Sequence, residues 1–215
     1  MSAPILLLDT VVEIQKTLGA AKTITAITQA SPPVVTSAAH GLANGVVGIL
    51  AIPSGMTALD KRMVRIANQA TNTFELEGLD GTALPAFVAG SCTFTPITAF
   101  DTFSIVTGFS IPEPQPNRQD STTVHVGTKR EIFGLDDAVQ VNFTMQADPK
   151  AVAVVNLRTA SKAKATRGFR VTLQDGTVLL MNAYCAGGRG LDGGQPGTIM
   201  TAQAFLTLAA EEQYL

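Results

Sequence analysis

Apolar and polar residues alternate with a period of two through most of this chain, which sends successive side chains to opposite faces of β-strands instead of along a helical stripe. The clearest alternation sets Val139, Val141, Phe143 and Met145 against Gln140, Asn142, Thr144 and Gln146. One face is apolar; the other is polar yet carries no charge. Phe169, Val171 and Leu173 alternate with Arg170, Thr172 and Gln174. Asp175-Gly176 then offers a tight hairpin turn, and Thr177 to Cys185 returns. A last strand, Thr198 to Leu208, sets Met200, Ala202, Ala204, Leu206 and Leu208 against Thr201, Gln203, Phe205 and Thr207. Thr10 to Gln15 and Phe100 to Thr107 also read as strands. One helix is predicted from Pro149 to about Ala160, with Asp148 as its N-cap and Ala151, Val154, Val155 and Arg158 on one side. The pattern predicts a mainly β fold, a sandwich or barrel core with one α-helix.

Between the two flanking strands lies a stretch that reads as a unit of its own, Lys22 to Ile97. It has turn signals at Asn44-Gly45 and Asp80-Gly81 and short β runs at Pro33 to Thr36, Val46 to Ile52, Met63 to Ala67 and Thr73 to Leu76. Its four basic residues (Lys22, Lys61, Arg62, Arg65) balance four acidic ones (Asp60, Glu75, Glu77, Asp80). The expectation is a discontinuous core domain, 1–21 and 98–215, with 22–97 inserted as a small β-barrel at the tip of a hairpin, where it would tolerate removal.

Composition narrows the function classes. Hydrophobic residues make up 46% and charged residues 15%, against roughly 25% charged in an ordinary domain, so part of the surface is expected to be covered by other copies of the chain. The net charge of −2 gives no global field to draw nucleic acid or an anionic membrane. The start, Met1 to Leu8, lacks the charge pattern of a signal peptide and the length of a membrane span. Cys92 and Cys185 have no metal or redox spacing and are expected as free thiols. His40, beside Gly41, and His125, in an alternating run, suit structural roles. Asp136-Asp137 sits in a turn where carboxylates commonly accept backbone amides. Gly188-Arg189-Gly190-Leu191-Asp192-Gly193 matches the dinucleotide-binding glycine pattern, but Gly194, Pro196 and Gly197 follow it and then a strand, where that motif requires a helix. No catalytic, cofactor or metal site is expected, and the chain reads as a non-enzyme.

Two features remain as candidate surfaces. From Lys150 to Arg170 run six basic residues and no acid: Lys150, Arg158, Lys162, Lys164, Arg167 and Arg170. They read either as a phosphate patch or, preferred because no aromatic residue interleaves before Phe169, as partners for acids of a neighbouring subunit. The segment Pro112, Glu113, Pro114, Gln115, Pro116, Asn117, Arg118, Gln119, Asp120 is a proline-stiffened loop that orders at an interface at low entropic cost.

The run Phe103 to Asp120 (FSIVTGFSIPEPQPNRQD), the run Lys129 to Asp137 (KREIFGLDD), and the succession helix, strand, Gln174-Asp175-Gly176-Thr177, strand, loop, strand together resemble the major tail tube proteins of long-tailed, non-contractile (siphovirus-type) bacteriophages. The likeness covers Thr10 to Gly19 and Ala99 to Leu215. Separately, Val34 to Thr82 looks like the small β-barrel module that phage tail proteins share with the first catalytic-cysteine half-domain of ubiquitin-activating enzymes. No activity carries over to Cys92. The resemblance implies a structural virion protein, made and assembled in the bacterial host cytoplasm. Its subunits would form homohexameric rings that stack into a tube and meet tape measure, tail terminator and distal tail proteins. Double-stranded DNA would pass through without sequence-specific binding, and no membrane anchor is implied. The alternative is a baseplate or adhesin-type binding module of the virion. In a tube, the uncharged residues Gln140, Asn142, Thr144, Gln146, Thr201, Gln203 and Thr207 are expected to line the lumen. Residues 112–120 would lie between rings, the six basic residues between subunits, and the inserted unit on the outer wall.

Overall fold

The computed structural model describes residues 9–104, 106–113, 116–121, 128–136, 138–188, 190–193 and 197–215. Its strands are β1 (Val11–Leu18), β2 (Lys22–Thr23), β3 (Ala26–Ile27), β4 (Val34–Thr36), β5 (Val47–Ala51), β6 (Met63–Ala67), β7 (Thr73–Leu76), β8 (Thr93–Phe103), β9 (Val106–Ser110), β10 (Pro116–Asp120), β11 (Glu131–Asp136) and β12 (Gln140–Gln146). The helix α1 (Val152–Ala163) follows, then β13 (Thr166–Thr172), β14 (Val178–Gly187), β15 (Thr201–Leu208) and β16 (Gln213–Tyr214). The fold is mainly β. One continuous antiparallel sheet runs β3-β4-β7-β6-β5-β8-β1-β13-β14-β15-β12-β9, and β10 and β11 form a separate two-stranded sheet.

The long strand β8 joins the two halves. Its first part pairs with β5, Gly48 opposite Pro96 and Ala51 opposite Thr93. Its second part pairs with β1, from Leu18 opposite Ile97 to Val12 opposite Phe103. The sheet then curls on itself. Phe103 on β8 and Phe143 on β12 lie five strand steps apart, about 24 Å in a flat sheet, yet their ring centroids are 5.2 Å apart. Phe143 also meets Phe169 at 6.4 Å. These rings, with Ile14, Val141, Met145, Val171, Met181, Ala204 and Leu206, form the larger core, which α1 completes with Ala153, Val154, Leu157 and Ala160. A second core lies within residues 22–97, around Ile24, Val35, Leu50, Phe74 and Phe94. A third, small cluster bridges the two: Val47, Met63 and Ile97 against Leu180 of β14.

Several expectations are corrected. The helix starts at Val152, not at Pro149, because Asp148 and Pro149 make a β-turn. Asp148 Oδ1 accepts the Lys150 amide and Asp148 O accepts that of Ala151. Asp followed by Pro suits the first two positions of a type I turn as well as it suits a helix start. The buried face is correspondingly shifted, and Val155 is exposed while Ala153 and Leu157 are buried. The helix runs to Ala163 and closes on Lys164 in the left-handed region, with the Ala165 amide reaching Ala160 O. The stretch Phe100 to Thr107 is two strands, β8 in the middle of the sheet path and β9 at its end. Residues 116–120 of the predicted loop are strand β10, and β16 adds a short strand beside β14. The turn signal at Asp80-Gly81 falls in the connection after β7, where Asp80 accepts the Thr82 amide and hydroxyl and the Gly81 amide donates to Ala30 O.

Candidate assembly surfaces

The uncharged face predicted on two separate strands is one surface. β12 and β15 pair in register, with Gln140 opposite Thr207, Asn142 opposite Phe205, Thr144 opposite Gln203 and Gln146 opposite Thr201. Their partners Val141, Phe143, Met145, Ala202, Ala204 and Leu206 are all buried on the other side, so the seven polar residues form a ladder facing outward. Gln140, Gln146 and Gln203 are exposed and Asn142, Thr144, Thr201 and Thr207 half-buried. Phe205, 47% exposed, interrupts the ladder. β9 pairs with β12 and ends the sheet, and none of the described strands pairs with its other edge.

Residues 112–120 lead from β9 into the β10–β11 hairpin. Pro116, Asn117, Arg118, Gln119 and Asp120 are on β10, Pro112 and Glu113 precede it, and Pro114 and Gln115 lie outside the described residues. Arg118 lies opposite Phe133, with its guanidinium 5.7 Å from the ring centroid. Ile132 and Phe133 are 61% and 67% exposed. Sequence reading singled out the prolines and missed these two residues, although Lys129-Arg130-Glu131-Ile132-Phe133, a strand-like run ending in two large apolar side chains, is a readable edge signal.

The basic residues divide. Arg170 is committed within the chain, since its Nε donates to Glu13 Oε2 at 2.6 Å and its guanidinium stacks 4.3 Å over Phe100. Arg158 donates to the carbonyls of Gly188 and Pro149. Arg167 Nη1 donates to Thr166 O. Lys150, Lys162 and Lys164 are exposed. None of the six is on β12 or β15.

Residues 22–97 are held to the core by more than the hairpin. Lys61 O accepts Asn182 Nδ2 at 2.8 Å, Arg62 Nη1 donates to Glu211 Oε2 at 2.8 Å, and Gln213 Nε2 donates to Glu77 O. Arg65 and Glu77 form a two-pronged ion pair at 2.6 and 2.7 Å, and this hydrogen-bonded guanidinium holds the Glu77 carboxyl below the ordinary glutamate range.

His40 makes contacts that hold the fold together. It is buried, its Nδ1 accepting the Leu42 amide and its Nε2 lying 3.3 Å from Thr73 O, edge-on to Phe74. His125 and Asp137 lie outside the described residues. The glycine pattern from Gly188 lies between β14 and β15, with Asp192 bridged to Thr201 and no helix among the described residues that follow. Cys92 and Cys185 are free and buried, and burial pushes the Cys185 thiol up to about 12. Because the thiolate is the nucleophile, Cys185 is expected to resist iodoacetamide in the folded protein at pH 8 and to react promptly after unfolding. Equal rates, read by mass spectrometry, would contradict this burial. No helix among the described residues is long and apolar enough to cross a membrane.

No curated protein matches the chain. The family of phage tail tube proteins (TTP) matches residues 54–208, more than two thirds of the chain, and the match begins within the 22–97 unit. A mainly β chain with an uncharged outward ladder, a sheet edge that no described strand covers and a separate two-stranded hairpin is what a self-assembling structural protein presents, and on that match the chain belongs to the phage tail tube protein family, a structural protein of the virion tail.

Proposed function

We propose that the chain forms hexameric rings that stack into the tail tube of a siphovirus-type phage, the conduit for DNA during ejection. The uncharged ladder on β12 and β15 carries this reading. An ordinary solvent face more often includes Lys or Glu, whereas each cation in a DNA channel that neutralises a phosphate adds salt-dependent affinity and so retards passage. The ladder therefore lines the lumen. The open edge of β9 supports ring closure, because an unpaired strand edge aggregates unless another strand covers it. Lys150, Lys162, Lys164 and Arg167 serve contacts between subunits, while Arg158 and Arg170 contribute through the chain's own loops and strands.

Residues 22–97 form the outer decoration, a module similar to the ubiquitin-activating half-domain. Since Phe103 and Phe143 meet across the core, the outer faces of β8 and β12 point in opposite directions, and this unit continues from β8. The assembled tube meets tape measure, tail terminator and distal tail proteins, and it is built in the host cytoplasm.

Negative-stain microscopy of the purified protein tests the assembly: tubes or sixfold rings support it, and persistent monodisperse trimers would favour a baseplate or adhesin role. The lumen assignment has its own test. Gln140→Lys or Gln203→Lys is expected to leave assembly intact and to slow DNA ejection in a salt-dependent way; ejection at the wild-type rate at low salt would contradict it.

A further inference from the structure

On the outward face of β14 the side chains change from apolar to polar. Leu180 is buried against the 22–97 unit, Asn182 gives its Nδ2 to Lys61 O, and Tyr184 is exposed. Beside that junction a cleft of about 510 Å³ lies between Ile49 and Lys61 of the unit and Lys164, Arg167 and Tyr184 of the core, within the size range of small-molecule sites. Its charge has one sign. No described acid lines it, and none of its three cations has an ion pair among the described residues, whereas Arg62, Arg65 and Arg170 are each paired with a glutamate. Gln15, 4% exposed, is also in the lining; its Oε1 accepts the Gly168 amide at 3.0 Å, and its Nε2 donor is unmatched among the described residues. Lys61 and Lys164 both stand in the left-handed region, at φ 59° and 50°, where glycine would sit without strain. The sequence places a lysine at each.

Three unpaired cations and a buried amide donor call for a ligand with more charge and more acceptors than one carboxylate supplies. A phosphate monoester brings about −1.5 to −2 charge and three strong acceptor oxygens. The cleft is larger than a phosphate group, and Ile49 and the Tyr184 ring offer a partly apolar wall to the rest of the molecule. We propose that this cleft binds a small phosphate monoester with a sugar-sized body, its phosphate held by Lys61, Lys164, Arg167 and Gln15 Nε2 and its body against Tyr184. Tyr184 lies opposite Thr207, at the end of the uncharged ladder, so the cleft borders the ladder and shares none of its seven residues. The site belongs to the single chain and does not rest on the tube reading. Within that reading, a neighbour reaching Lys164 and Arg167 packs against the bound phosphate and not against bare cations.

Titration calorimetry on the full-length protein, in phosphate-free buffer and below the concentration at which it assembles, tests this. Glucose 6-phosphate is expected to bind, inorganic phosphate to bind more weakly and glucose not to bind. Lys61→Gly and Lys164→Gly suit the left-handed backbone, so each is expected to keep the thermal midpoint at or above that of the wild type. Each is expected to weaken glucose 6-phosphate about tenfold. No binding of glucose 6-phosphate, equal binding of glucose, or a double glycine variant that binds like the wild type would each overturn the proposal. A short DNA duplex that binds more tightly than glucose 6-phosphate and depends on the same lysines would also overturn it, giving these cations to a nucleic-acid backbone. Tube formation is read separately by microscopy, so a failure of either reading leaves the other standing.

Discussion

Replacing Phe143 with Ala is expected to cost about 3–5 kcal/mol of folding stability, a large part of the roughly 5–15 kcal/mol that holds a domain folded. Phe143 is 2% exposed on the central stretch of β12. Its ring touches Phe103 from β8 on one side and Phe169 from β13 on the other, so it is the point at which the curled sheet meets itself. Truncation leaves a cavity that three strands would have to collapse around, and their register with neighbours prevents that. Phe205→Ala, one strand over on the outward face and half exposed, is the matched control and is expected to change stability by less than about 1 kcal/mol. Urea unfolding followed by circular dichroism checks both. Equal midpoints for the two variants would mean that the sheet does not close through Phe143.

Deleting residues 22–97 and rejoining β1 to the second part of β8 through a short linker is expected to abolish soluble expression. As an appendage at a hairpin tip the unit would be dispensable, but the bridging cluster argues otherwise. Leu180 is fully buried, and with Val178 it packs against Val47, Met63 and Ile49 from the unit, while Asn182 gives its amide to Lys61 O. Removal uncovers the outward face of β14 and orphans that amide, and a buried donor without a partner costs about 1–3 kcal/mol when it stays dry. The same deletion with Leu180→Gln and Val178→Thr, which makes the bared face polar, is expected to recover soluble protein with the core intact. Wild-type yield from the simple deletion would show that the bridging contacts do not matter.

Strand identity was legible in the sequence wherever one face is buried, because burial on a pleated sheet forces a period of two that survives in the residues themselves. Val141, Phe143 and Met145, or Ala202, Ala204 and Leu206, could hardly be anything else, and the uncharged character of their companions was readable in the same letters. The Asp175-Gly176 hairpin was equally local, with Gly176 at φ 88° and Asp175 accepting the Thr177 amide. What local chemistry could not decide was where equally good local solutions compete. Asp148-Pro149 suits a helix start and a type I turn alike, and in the fold it makes the turn, with the helix that buries Leu157 and Ala160 beginning three residues later, at Val152. Tertiary structure alone decided that β12 and β15 are neighbours in register, which turned two separate polar patterns into a single ladder. It also decided that Phe103 and Phe143 meet, that Arg170 is spent on Glu13 and Phe100, and that Leu180 serves residues 22–97. Each is a contact between residues far apart in sequence, and such contacts are set by the packing of whole sheets, which no window of neighbouring residues encodes.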